Sequence, residues 1–257
     1  MTAPEQAVEF IAKWREREPE MAYAEVFCPR PLRGRFALWG ALLFELRAAA
    51  FELSDARLIE AKSAWWADES LRCAQAAPRH PLTQALAAPQ LPWSALARGM
   101  ILVAEVESAR PAGRDAAIAA VTPLADGIAA METVLFDAGD ASAASAAVAV
   151  HLLAERLRIG VGAADGGRIP LSLLARHGIT SAMLVQPQGA MAMSDWAAEL
   201  VSALPTDLRR AALYRRTRCA FDAWLLRERA AGRVRHTIPS LRALRIGWRA
   251  ARAQGNG

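Results

Sequence analysis

The stretch from Arg57 to Leu86, RLIEAKSAWWADESLRCAQAAPRHPLTQAL, constrains the architecture most. Within it Leu58, Ala61, Trp65, Glu69 and Arg72 recur at steps of three and four, the period of one helical face. The adjacent Trp65 and Trp66 project about 100° apart on a helix. One of the two therefore belongs in a core and the other near a helix edge. Ala77-Pro78-Arg79-His80-Pro81 stops this helix, because proline lacks the backbone donor and its ring clashes with the preceding turn. Thr83 to Leu86 can begin the next one.

The rest of the chain repeats this pattern. Alanine is abundant and β-branched runs are scarce, which favours helix over strand. The 16 glycines and 14 prolines fall between periodic segments. The reading is an all-α fold, a single-domain helical bundle spanning residues 1–257. With 257 residues, 54% of them hydrophobic, there is enough apolar surface for one large core. Thr2-Ala3-Pro4-Glu5 has the form of a capping box, opening a helix that runs to about Arg17. Arg33 to about Leu53 is apolar on more than one face and reads as the central helix. Ser54 or Asp55 caps the helix after it. Further helices are expected over Pro92–Ala109, Arg114–Ala120, Pro123–Phe136, Ala141–Arg158 and Ser172–His177, the last ended by Gly178. Ser194 or Asp195 should cap a helix to Leu204. Thr206 or Asp207 should cap the longest helix, to about Ala231, and Pro239–Ala253 forms the last. Gly160–Gly167 is a loop by composition.

The net charge is +5, and nearly all the cations are arginines, since Lys13 and Lys62 are the two lysines. Residues 206–257 form a basic C-terminal helical portion. Arg209, Arg210, Arg215, Arg216 and Arg218 cluster there, and Leu241, Leu244, Ile246 and Trp248 share the last helix with more arginines. Such a helix suits an anionic membrane surface or the solvated outer face of a bundle. No recognised nucleic-acid module accompanies the charge, so nucleic acid is not an expected partner. Cys28, Cys73 and Cys219 have neither metal-ligand nor disulfide-framework spacing, which fits a reducing compartment. Met1–Glu20 is polar and charged and does not read as a secretory signal, and no window reads as an uninterrupted membrane span. The expected location is the cytoplasm, extending to the periphery of the inner membrane. No Ser-His-Asp order, phosphate-binding glycine loop or HExxH pattern is present. His80 reads as structural in the turn, and His151 as a core histidine.

Three stretches resemble the squalene/phytoene synthase family. Arg57–Leu86 is similar to its "RL-x-x-W-x-x-E-L … HP-x-x-x-AL". Gly167-Arg168-Ile169-Pro170-Leu171 through Gly178-Ile179-Thr180 is similar to "GR-x-Y-L-P … GV-T". The segment around Leu213-Tyr214 is similar to the closing "Y-x-x-IL" helix. The resemblance covers roughly Glu20 to Leu226 and implies a terpenoid-synthase bundle. Such proteins join two prenyl diphosphates head to head, with Mg²⁺ held by D-x-x-x-D motifs on facing helices. Four-residue spacing puts both carboxylates of a motif on one face.

Those motifs are eroded in this chain. The family's "F-x-R-x-x-D-D-x-x-D", anchored on Arg47, places its Asp positions on Ala50 and Ser54. A slip of one or two residues offers Glu52 and Asp55. The family's "N-x-x-R-D-x-x-x-D … GR", anchored on Arg158 and Arg168, places its Asp positions on Ile159 and Ala163 and its Asn position on Glu155. Asp165 is the one acid left nearby. The resemblance therefore implies a degenerate cavity in which Glu52, Asp55, Glu155, Arg158 and Arg168 are the substrate-binding candidates. Competing structural roles are an N-cap for Asp55, an i,i+3 pair for Glu155 and Arg158, and a helix-entry salt bridge for Arg168. The implied function is an isoprenoid- or lipid-binding scaffold, or one for assembling a membrane complex with protein partners. A complex I assembly factor with a domain of this type offers the parallel. No cofactor is then expected. The alternative is an active prenyltransferase condensing two prenyl diphosphates, with Mg²⁺ on Glu52 and Asp55.

Overall fold

Proline or glycine stands at the start of most of the helices. The computed structural model describes residues 3–53, 55–86, 88–105, 110–139, 141–159 and 169–253, and helix is the one kind of regular structure among them. Helices α1 (Ala3–Arg17) and α2 (Pro19–Ala24) meet at Glu18. Two 3-10 turns lead into α3 (Arg33–Phe51), followed by α4 (Ala56–Ala74), α5 (Pro81–Leu86) and α6 (Trp93–Glu105). Then come α7 (Arg114–Leu135), α8 (Ala141–Ile159), α9 (Leu171–His177), α10 (Gly189–Ser202), α11 (Leu213–Ala230) and α12 (Ser240–Arg252). Gly178 ends α9 in the left-handed region, at φ 60°, where glycine meets no Cβ clash. The readings placed on Thr2, Ser54, Gly160–Gly167 and Arg168 lie outside the described residues.

Several boundaries differ from the sequence expectation. Pro123 lies inside α7, so Arg114–Ala120 and Pro123–Phe136 form one helix of 22 residues. Packing against α6 and α8 on either side holds the helix through the proline. Unbroken, α7 is long and apolar enough to cross a membrane by length and composition, and 50% of its most apolar window is buried in the bundle. Helix α10 begins at Gly189, so Ser194 is an internal residue that bonds back to the Ala190 carbonyl at 3.1 Å. Asp207 does not cap α11. It grips Arg209 at 2.7 Å, and α11 starts later, at Leu213.

The buried face of α4 is also rotated from the expected one. Ile59, Ser63, Trp66, Ala67, Ser70 and Cys73 point inward, while Leu58 and Ala61 are exposed. Of the tryptophan pair, Trp66 is 6% exposed and Trp65 41%. Glu69 is buried because it organises the proline turn. Its carboxylate accepts the backbone N–H groups of Arg79 and His80 at 2.8 and 2.9 Å and the Thr83 hydroxyl at 2.5 Å. The His80 ring packs on Phe10 and Trp66, with centroids 4.7 and 4.9 Å away.

Helix α3 is central, burying Phe36, Trp39, Leu42, Leu43 and Leu46. Trp14, Trp39, Trp93 and Trp196 are fully buried in the same core. Helices α6 and α7 cross closely at two glycines. A Cβ on Gly99 would lie 2.7 Å from the Leu124 Cα, and one on Gly127 would lie 2.9 Å from the Ala95 carbonyl oxygen.

Candidate functional site

A cluster of charged side chains is buried where α3, α8, α11 and the α1–α2 junction converge. Helical spacing builds it. His151 and Glu155 lie four apart on α8, and Arg218 and Asp222 lie four apart on α11, so each pair shares a face. Arg47, on α3, stands at the centre and is 3% exposed. Its Nη2 lies 2.7 Å from the Glu18 carboxylate and 3.4 Å from that of Glu155. Its Nη1 lies 3.2 Å from His151 Nε2. A guanidinium can only donate, so Nε2 accepts, and Nδ1 carries the proton toward Asp222, 3.0 Å away. Arg218 completes the far side, with Nη1 at 3.0 Å from Glu20 and 3.4 Å from Glu18, and Nε at 3.1 Å from Asp222. Trp14 donates its indole N–H to Glu18 at 3.2 Å.

These contacts set the charges. Burial alone would raise the Glu155 carboxyl, but Arg47 and Arg158 hold it well below its ordinary 4.5. Burial also works against ionisation of Glu18 and Asp222. Arg47 and Arg218 keep Glu18 low, and Arg218 and His151 keep Asp222 low. A second buried pair lies elsewhere in the core, where Arg215 grips Glu132 through Nε at 3.0 Å and Nη2 at 2.6 Å. The Trp39 indole donates to the same carboxylate at 2.9 Å. The expectation that Arg215, Arg216 and Arg218 belong to a basic surface is therefore corrected. All three are buried, because core carboxylates and backbone carbonyls take their donors.

The sequence candidates separate. Glu155 and Arg158 sit in the cluster and bond each other at 2.7 Å across i,i+3. Glu52 lies at the margin, its side chain 27% exposed and 3.9 Å from Arg47 Nε, with its carboxyl raised by burial. Asp55 faces away from this chemistry and caps α4, accepting the Arg57 N–H at 2.9 Å. Arg168 lies outside the described residues. Glu18, Glu20, Arg218 and Asp222 were not singled out from sequence as site residues. Arg218 and Asp222, ionic residues four apart with the apolar Cys219-Ala220-Phe221 between them, were the available signal.

No family model and no curated protein matches the chain. Solved structures do. A dehydrosqualene synthase in complex with ligand superposes with a TM-score of 0.66 at 16% identity, covering 96% of each chain. The squalene synthase HpnC from Alicyclobacillus acidocaldarius superposes with a TM-score of 0.55 at 14% identity, covering 99% of each. The chain has the squalene/phytoene synthase-like fold.

Within this fold, the donor set of the cluster can be tested against Mg²⁺. His151, Glu155 and Asp222 offer ligand atoms within 4.8 Å of one another. Mg²⁺ takes oxygen ligands in near-octahedral geometry at about 2.0–2.1 Å and retains several waters. Here one donor is an imidazole nitrogen already bonded on both sides, and the carboxylates are held by Arg47, Arg158 and Arg218. Among the described residues, this cluster does not offer the open oxygen-ligand set of a magnesium–diphosphate centre.

Proposed function

We propose that this chain is a catalytically silent relative of the squalene and dehydrosqualene synthases, serving as an isoprenoid- or lipid-binding or membrane-complex assembly scaffold. The observation that carries this reading is that the three candidate metal ligands are already engaged by protein groups: His151 bonds Arg47 and Asp222, Glu155 is held by Arg158 and faces Arg47, and Asp222 is held by Arg218. Arg47 matches an arginine of the family motif, so the difference from a working synthase lies in the motif's Asp positions, where this chain has Ala50 and Ile159. Without paired carboxylates little remains to hold Mg²⁺ against a leaving diphosphate. Room for an apolar ligand lies at the other end of α3. A groove of about 620 Å³ there is lined by Leu32, Phe36, Phe136 and Leu213, with Arg209 and Arg210 at its edge. That volume is in the range of small-molecule sites.

The competing reading is an active Mg²⁺-dependent prenyltransferase. The purified chain, shown to be helical by circular dichroism, is incubated with farnesyl or geranylgeranyl diphosphate, with and without Mg²⁺. The expected result is no Mg²⁺-dependent release of diphosphate. Turnover that is lost in Glu52→Ala or Glu155→Ala would overturn the scaffold reading in favour of the enzyme.

A further inference from the structure

The outward face of α12 carries a second feature, independent of the buried cluster. Ala243 and Gly247 seat this helix on the body, a Cβ on Gly247 falling 3.1 Å from the Phe27 ring. Ser240 adds a hydrogen bond to the Tyr23 hydroxyl at 3.1 Å. At about 100° per residue, Leu241, Arg245, Trp248 and Arg252 project within roughly 60° of one another, directly away from that seat. Leu241 is 84% exposed and Trp248 46%. Arg249 is exposed beside them, and α12 contains no carboxylate.

The acids on neighbouring elements are already taken. Glu25 is held by Arg15 at 2.7 Å, Glu228 by Arg233 at 2.7 Å and Asp207 by Arg209 at 2.7 Å. Glu20 and Asp222 are buried against Arg218. Arg245, Arg249 and Arg252 make no ion pair among the described residues, and Arg252 lies over the Trp248 ring at 4.8 Å. The face thus presents uncompensated guanidinium groups around two large apolar side chains.

We infer that this face docks the protein on an anionic lipid bilayer, the arginines meeting lipid headgroups while Leu241 and Trp248 enter the headgroup–acyl boundary. Charge complementarity selects this occupant. A second copy packed symmetrically would set arginine against arginine. A nucleic acid would match the arginines but leave Leu241 in water. Tryptophan is the side chain most at home in the interfacial layer. Arginines near an anionic leaflet add attraction that fades within a Debye length. The inference does not depend on whether the buried cluster is silent, since it concerns a different surface and a different readout.

The test is co-sedimentation of the full chain with vesicles of mixed phosphatidylglycerol and phosphatidylcholine, compared with phosphatidylcholine alone. Binding to the anionic vesicles is expected, falling steeply as salt is raised. Arg245→Gln/Arg249→Gln/Arg252→Gln should weaken it by roughly a hundredfold, near fivefold per arginine. Leu241→Ala/Trp248→Ala should weaken it about tenfold or more. All five positions are exposed, and circular dichroism checks that the variants keep the native helicity. Equal binding to neutral vesicles would overturn the inference, as would unchanged binding of either variant. It would equally be overturned by a dimer in sedimentation velocity that Trp248→Ala dissolves, or by retention on duplex DNA without vesicle binding.

Discussion

Arg47 meets Glu18 from the α1–α2 junction and His151 and Glu155 from α8, all buried. Removing it leaves charge behind rather than apolar surface. Arg47→Ala should destabilise the fold by about 3–5 kcal/mol, because two buried carboxylates each lose one of their two arginines; urea denaturation measures this. The same carboxylates set the acid limit. Glu18, Glu155 and Asp222 titrate below their ordinary values in the folded state, so their contribution is complete above about pH 4.5 and is lost as the pH falls through the folded values. The melting temperature should fall as pH is lowered from 5 to 3, on the order of the usual acid transition, and Glu155→Gln should flatten that slope. The thiols behave oppositely. Burial pushes Cys73 and Cys219 up to about 12, so a maleimide at neutral pH should label them only after unfolding. Little of this was legible in the sequence. Arg47 stood out there as a motif anchor, and Glu155 and Arg158 as a local pair. Their long-range partners are set by tertiary contact, to which helical period gives no clue.

At the scale of elements, the Gly99–Gly127 crossing ties α6 to α7. Gly127→Ala should cost about 1–3 kcal/mol, since a backbone carbonyl rather than a flexible side chain stands in the way. Thermal melting of Gly99→Ala and Gly127→Ala checks this, and a neutral result at both would mean that the helices slide apart freely. Helix positions were largely readable because the prolines at Pro19, Pro81 and Pro239 fall where helices begin or end. Pro123 misled, because packing on both sides held the helix through a residue that breaks isolated ones. The face of α4 misled for a related reason. Trp65 fits an apolar stripe, yet it sits at an edge with Arg79 over its ring at 5.7 Å, while the ionic Glu69 goes inside to bind the turn.

Across the whole molecule, two solved synthases share this bundle at 14–16% identity. A bundle of this size tolerates almost complete replacement of its side chains provided that volume and helical pattern persist. The order and spacing of three stretches, the proline turn, Gly167 to Thr180 and the late helix, named the architecture from sequence.

The buried cluster also bears on the order of events during synthesis. Glu18 and Arg218 are 200 residues apart, and Arg47 and His151 are 104 apart. A ribosome releases Glu18 long before the guanidinium it will face exists. Until α11 emerges, the acids of the α1–α2 junction lack one of their two arginines and must stay hydrated, which keeps the start of the chain from docking early. Nascent chains stalled before Arg218 should therefore remain open to protease at α1 and α2, and become resistant once α11 has cleared the exit tunnel.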